Sequence, residues 1–366
     1  VIANIKRLVC GLALALAAGT VQAQGPAAAP AGLVARQGDV MIKDFRFKSG
    51  EALSTLNLHY TTLGQPRRDA SGHVVNAVMI LHGTGGTGEQ FFRPQFEGEL
   101  FHPGQPLDTA KYFIILPDDI GHGKSSKPSD GLHARFPHYD YDDMVELERR
   151  LLVDGLQVDH LRLILGTSMG CMHAFVWGEA HPDFMDALAP FACLPTQIAG
   201  RNRMWRKMLM DAITQDPAWQ GGDYKTEPLQ ALRTSSDLLA IAGATPLPYQ
   251  IAYPTRDAAD VFVETFTKAE LSTLDADDLL YQVAASGDYD PSAGLETIKA
   301  PVLWINSADD FINPPELGIA ERMVERIPHA RFVLIPIGPK THGHGSHTWA
   351  ALWKTELIRL LAETER

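Results

Sequence analysis

Three kinds of side chain that could pass one proton between them lie far apart in this chain: a glycine-framed serine, a pair of aspartates and a short run of histidines. The serine is Ser168, within Gly166-Thr167-Ser168-Met169-Gly170. An apolar run at 161–165 precedes it and a helical pattern at 171–180 follows. Small residues on either side of a serine, between a strand and a helix, suit a sharp turn that lifts the hydroxyl clear of the backbone. A hydroxyl is a poor nucleophile at its own pKa, so a base must take its proton and an acid must orient that base.

The aspartates, Asp309 and Asp310, follow the apolar run 302–305. A carboxylate in the loop after a late strand faces the same sheet edge as Ser168, and Asp310 is preferred. The histidines are His342, His344 and His347, after the run 332–337. Imidazole titrates nearest neutral pH, so one of them is the expected base. His344 is the choice, with His347 in reserve. A third strand ends in His82-Gly83-Thr84-Gly85-Gly86. Glycines there let backbone approach a substrate, so the amides of Thr84 and Met169 are the expected oxyanion donors. No Gly-Lys-Ser/Thr and no complete Gly-x-Gly-x-x-Gly follows, so neither a phosphate loop nor a dinucleotide cofactor is expected. The histidine run lacks a matching acid or cysteine cluster, so no metal is expected either. The Asp118-Asp119 pair reads as structural, and His133, His138 and His173 as ordinary surface or core histidines.

These residues need a scaffold that brings chain ends together. Alternating segments at 40–48 and 54–62 predict an antiparallel edge hairpin. Short apolar runs at 74–81, 112–116, 161–165, 187–192, 302–305 and 332–337 suit strands buried on both faces. Helical spacing around 144–152 and 349–360 lies between or after them. The pattern predicts an α/β fold, a mostly parallel sheet with helices on both faces. Residues 195–286 lack strands and read as an inserted helical cap, dividing the core into 36–194 and 287–366.

Lys6 and Arg7 precede an apolar run at 8–18, and Val21-Gln22-Ala23 has small residues where a signal peptidase reads. Residues 1–23 are therefore expected to be a signal peptide, 24–35 an Ala/Pro/Gly-rich linker, and the product exported, periplasmic or secreted. No later run approaches the roughly 20 apolar residues of a membrane span, so no membrane insertion is expected after removal of the leader. The 366 residues carry a net charge of −12 and no dense Lys/Arg tract, which argues against nucleic acid as a partner. Beyond the leader only Cys171 and Cys193 remain, read as two small buried residues, with one disulfide as the alternative. A homodimer or any other oligomer does not follow from the sequence.

With the order Ser168, Asp310, His344, the chain resembles an α/β-hydrolase and, within that superfamily, the homoserine O-acetyltransferase family. The likeness runs through Leu58-His59-Tyr60-Thr61-Thr62-Leu63-Gly64, Asp142-Asp143-Met144-Val145, the Ser168 segment, Ser307-Ala308-Asp309-Asp310 and Gly343-His344. It implies the α/β-hydrolase fold and favours Asp310 and His344 over their neighbours. In that family a Thr-Tyr-Arg-Ser stretch in the cap helps hold an amino-acid substrate. Here the comparable residues are Leu238-Leu239-Ala240-Ile241-Ala242-Gly243-Ala244, an apolar stretch that cannot pair a carboxylate. The expected function is therefore a serine hydrolase of a small carboxylic ester, an amide or lactone being the variants, acting through an acyl-enzyme on Ser168. The alternatives are an acyltransferase of the resembled type and a non-catalytic ligand binder. Met204, Trp205, Met208 and Met210 read mainly as core packing of the cap, with pocket lining as the second role.

Overall fold

Continuous apolar runs form strands where both faces are covered, and that is how the central strands behave here. The computed structural model describes residues 32–365. The expected signal peptide and residues 24–31 of the linker lie outside them. A hairpin of β1 (Ala35–Arg46) and β2 (Ala52–Leu63) edges an eight-stranded sheet. It continues through β3 (Ala77–Leu81), β4 (Phe113–Pro117), β5 (Leu163–Thr167), β6 (Leu188–Phe191), β7 (Val302–Ser307) and β8 (Ala330–Ile335). The spatial order is β1-β2-β4-β3-β5-β6-β7-β8. β2 pairs antiparallel with β4, and every pair from β4 to β8 is parallel. Each residue of β3, β4 and β5 is buried.

Several strand boundaries differ from the sequence reading, among them the start of β3, at Ala77 rather than residue 74. Ala35, given to the linker, opens β1 opposite Leu63, and Leu33 before it is buried. β8 lies two residues earlier than the run 332–337, because its register with β7 begins at Val302–Ala330 and Pro336 has no N–H to extend the ladder.

Helices α1 (Pro94–Leu100), α2 (Tyr141–Arg150) and α3 (Met169–Ala180) alternate with the strands. Between β6 and β7 come α4 (Gly200–Thr214), α5 (Leu229–Gly243), α6 (Pro246–Ala252), α7 (Arg256–Glu270) and α8 (Ala276–Ala284). α9 (Ile319–Val324) and α10 (Lys354–Glu363) complete the chain. The sheet is covered on both sides: Leu147, Phe175 and Trp177 from α2 and α3 fill one face with Trp304, while Phe96 and Leu357 from α1 and α10 fill the other with Phe191 and Trp353. The α4–α8 insertion has its own small core of Trp205, Leu209, Ile213, Leu232, Leu279 and Val283. Met210 packs against that core, whereas Met204 and Met208 are exposed and line no part of the site. No helix among the described residues is long and apolar enough to cross a membrane.

Candidate active site

β5 ends in the bend that carries Ser168, whose φ of 55° and ψ of −108° lie where L-residues are strained. The bend closes only around small residues: a Cβ on Gly166 would sit 1.9 Å from the Gly170 carbonyl oxygen. The strain is held by the ladder on either side, including the bond from Ser168 N to Phe191 O. The hydroxyl is thereby fixed above the C-terminal edge of the sheet, at the start of α3.

His344, Asp310 and Ser168 meet there from segments up to 176 residues apart. Ser168 Oγ is 2.8 Å from His344 Nε2, and His344 Nδ1 is 2.9 Å from Asp310 Oδ2. With Nδ1 protonated, the ring donates to Asp310 and accepts from the serine, the arrangement needed to activate a hydroxyl. Asp310 is fully buried. Burial alone would raise its pKa, but the His344 imidazole, the Asn313 amide and the Ile312 N–H together hold it below the usual carboxylate value. Asn313 Nδ2 also donates to Ala192 O, tying the acid to the end of β6.

The neighbours do other work. Asp309 accepts from the hydroxyls of Ser307, Thr245 and Thr341, pinning the start of α6 to the histidine loop. His342 stacks on Trp349 with ring centres 3.8 Å apart. His347 is half-buried, and desolvation of its ring, with His344 and Arg93 nearby, pushes its pKa down to about 3. An imidazole so hard to protonate is a weak proton acceptor.

The loop after β3 comes so close to Ser168 that a Cβ on Gly83 would lie 3.2 Å from the serine Cβ. Met169 opens α3, so its N–H has no intrahelical acceptor. The loop's own bonds, Gly86 N to Gly83 O and His82 Nδ1 to Gly83 O, leave the Thr84 N–H unused. Among the described residues, neither the Thr84 nor the Met169 N–H donates to a protein acceptor. His82 holds their loop: its other nitrogen accepts from Asp119 N at 3.1 Å. Behind it lies a buried cluster that the sequence did not reveal, in which Asp119, Glu148 and His173 bring donor atoms within 4.8 Å of one another. Glu148 accepts from Trp177 and lies 2.7 Å from His173 Nδ1. Burial pushes Glu148 up to about 8, and burial with the adjacent Glu148 charge pushes Asp119 up to about 7. The reading of the cysteines as unbonded is corrected: Cys171 in α3 and Cys193 after β6 form a disulfide, their Cα atoms 5.8 Å apart. Sequence spacing could not show that the two chain segments leaving β5 and β6 run side by side.

Ser168, Asp310 and His344 border a cavity of about 920 Å³ between the sheet edge and the insertion. Ala192, Ile198, Leu247, Phe311 and Leu317 give it a largely apolar wall. Of the stretch compared with the family's substrate-holding motif, only Ala244 reaches this wall, while Leu238 and Leu239 pack into the cap core. Arg206 of α4 also borders the cavity, a residue that nothing in its sequence neighbourhood singled out.

Residues 76–340 match the α/β-hydrolase fold family, and the chain belongs to that family. Within it the chain resembles homoserine O-acetyltransferases. It is 30% identical over 294 residues to a probable acyltransferase of Methanothermobacter thermautotrophicus, covering 80% of this chain and 88% of the relative. With the homoserine O-acetyltransferase of Haemophilus influenzae it shares 27% over 309 residues, 76% of this chain and 85% of that one. Among solved structures, an acetylester hydrolase from Corynebacterium glutamicum superposes with a TM-score of 0.78 at 22% identity, over 89% of this chain and 96% of that chain. The homoserine O-acetyltransferase of Bacillus anthracis gives 0.76 at 20%, over 90% and 98%. Those two likenesses establish the fold.

Proposed function

We propose that the protein is an enzyme that takes an acyl group onto Ser168 and passes it to a small alcohol acceptor. The observation that carries this reading is the unbroken path from the Ser168 hydroxyl through His344 to Asp310, beside two unused amides and an apolar cavity. Ser168 Oγ bonds to the acyl carbonyl carbon as its proton passes to His344 Nε2. The Thr84 and Met169 amides stabilise the oxyanion, and His344 returns the proton to the departing group as its bond to carbon breaks. The acceptor's oxygen then attacks the acyl-enzyme by the same steps in reverse. Curated relatives described as acyltransferases support transfer as the fate of the acyl group.

Hydrolysis is the second reading, with water in place of the acceptor. It is favoured by structural neighbours described as esterases and by the export expected from residues 1–23, since acyl-CoA donors are cytosolic. Partition of one acyl-enzyme separates the two. Products from a chromogenic acetyl ester are to be measured with and without a panel of small alcohols at millimolar concentration. Transfer predicts that acylated alcohol dominates once a suitable acceptor is present; free acid in full yield under every condition would leave only hydrolysis.

A further inference from the structure

The cavity wall holds a buried cation, Arg206. Arg206 is 3% exposed. Its Nε donates to Asn202 Oδ1 at 3.0 Å and its Nη1 to Ser286 Oγ at 3.1 Å, both neutral acceptors. The Trp205 ring centre lies 4.7 Å from its guanidinium carbon. Among the described residues no carboxylate pairs with it, and the nearby charged side chain that acts on it is Arg203, which repels. The acids at the cavity do not serve it: Asp310 is engaged by His344, Asn313 and Ile312, Asp309 by three hydroxyls, and Glu316 is exposed at the rim. Burial lowers the guanidinium pKa, yet an arginine stays protonated. A buried charge left without a partner is strongly unfavourable, and substrate can supply the missing half.

Two hydroxyls lie behind Arg206, outside the cavity lining. The Tyr141 hydroxyl faces Arg206, Ser286 and Thr84. Neither the Tyr141 hydroxyl nor Thr84 Oγ1 has a hydrogen-bond partner of good geometry. Position also tells which part of a substrate would reach Arg206. His344 delivers its proton to the departing group, so that group lies on the histidine side. Gly83, next to Thr84, approaches Ser168 from the other side, and the Tyr141 hydroxyl faces both Thr84 and Arg206, which puts Arg206 on that side.

We infer that Arg206 forms a subsite for a carboxylate at the far end of the acyl group, so that the favoured substrate is a monoester of a short dicarboxylic acid. This rests on the acyl-enzyme reading above and specifies its acyl group. The guanidinium takes the carboxylate through its free N–H groups, and the Tyr141 hydroxyl behind it helps hold the guanidinium in place. The apolar wall then packs the intervening methylenes.

The experiment compares kcat/KM for 4-nitrophenyl hemisuccinate and hemiglutarate with the neutral butyrate and valerate esters. The wild type should favour the anionic esters by at least about 10-fold, as for one desolvated charge pair. Arg206→Met should lower the anionic-to-neutral ratio by roughly 10- to 100-fold, and Arg206→Lys, which keeps a charge without the planar fork, by less. Circular dichroism melts establish that each variant folds. In a Ser168→Ala background, calorimetry with monomethyl glutarate and dimethyl glutarate reads the subsite without chemistry: the monoanion should bind, and Arg206→Met should abolish that binding. If no ester is turned over but this Arg206-dependent binding persists, the acyl-enzyme reading fails and the subsite stands. An anionic-to-neutral ratio unchanged by both substitutions, or monoanion binding indifferent to Arg206, overturns the subsite. A preference found only for acetyl esters of hydroxy acids overturns its placement on the acyl side.

Discussion

At the scale of single residues, the serine hydroxyl, the imidazole and the carboxylate act as one unit, so their removals should be similar in size rather than additive. Ser168→Ala and His344→Ala should each lower turnover by roughly 1,000-fold or more while the far-ultraviolet spectrum and melting point stay close to wild type. His347→Ala provides the contrast. Its imidazole is half-buried and resists protonation, so its loss should cost packing near His344 and well under a hundredth of the effect on kcat. A reversal, with His347→Ala inactive and His344→Ala active, would show that the base had been misassigned. In the sequence, His344 and His347 differ only by a family resemblance; the 2.9 Å contact with Asp310 and the 2.8 Å contact with Ser168 separate them physically.

At the scale of elements, the strand-to-helix bend between β5 and α3 is closed by steric necessity and fastened by a covalent link. Gly166→Ala would drive a methyl group into the Gly170 carbonyl. It should destabilise the protein by about 3 kcal/mol or more, the range of severe backbone clashes, read as a lower denaturant midpoint. The disulfide joins α3 to the segment leaving β6 across 22 residues, a loop whose closure entropy is worth about 3 kcal/mol. Replacing Cys171 and Cys193 by serine, or adding reductant, should lower the melting temperature by several degrees. An unchanged melt in reductant would show that the bond contributes nothing under those conditions.

At the scale of the whole molecule, stability should respond to pH through the acids buried behind the sheet edge. Glu148 is raised to about 8 and Asp119 to about 7, chiefly by burial. Because these folded-state values exceed those of the unfolded chain, their contribution is complete below about pH 4 and is lost as pH rises toward 8. The wild type should therefore lose stability between pH 5 and pH 8 by this route. Glu148→Gln, which cannot ionise, should flatten that decline in urea titrations. An equal slope in the variant would assign the pH response to other groups.

Much of this was legible in the chain before folding. Glycines around Ser168, apolar runs long enough for buried strands, and a helix-rich interval between them determine the parallel sheet and the edge at which chemistry gathers, because backbone sterics and burial act locally. The aspartate and histidine segments could be named because each follows a strand and so emerges at that same edge. Contacts that close only in three dimensions were not legible. The Cys171–Cys193 bond, the Asp119–Glu148–His173 cluster and the solitary charge of Arg206 depend on which surfaces α2, α3 and α4 present to one another. Hydrophobic pattern specifies that a helix buries a face; only tertiary packing decides what a buried polar side chain on that face will meet, and whether its counter-charge comes from the protein or from outside it.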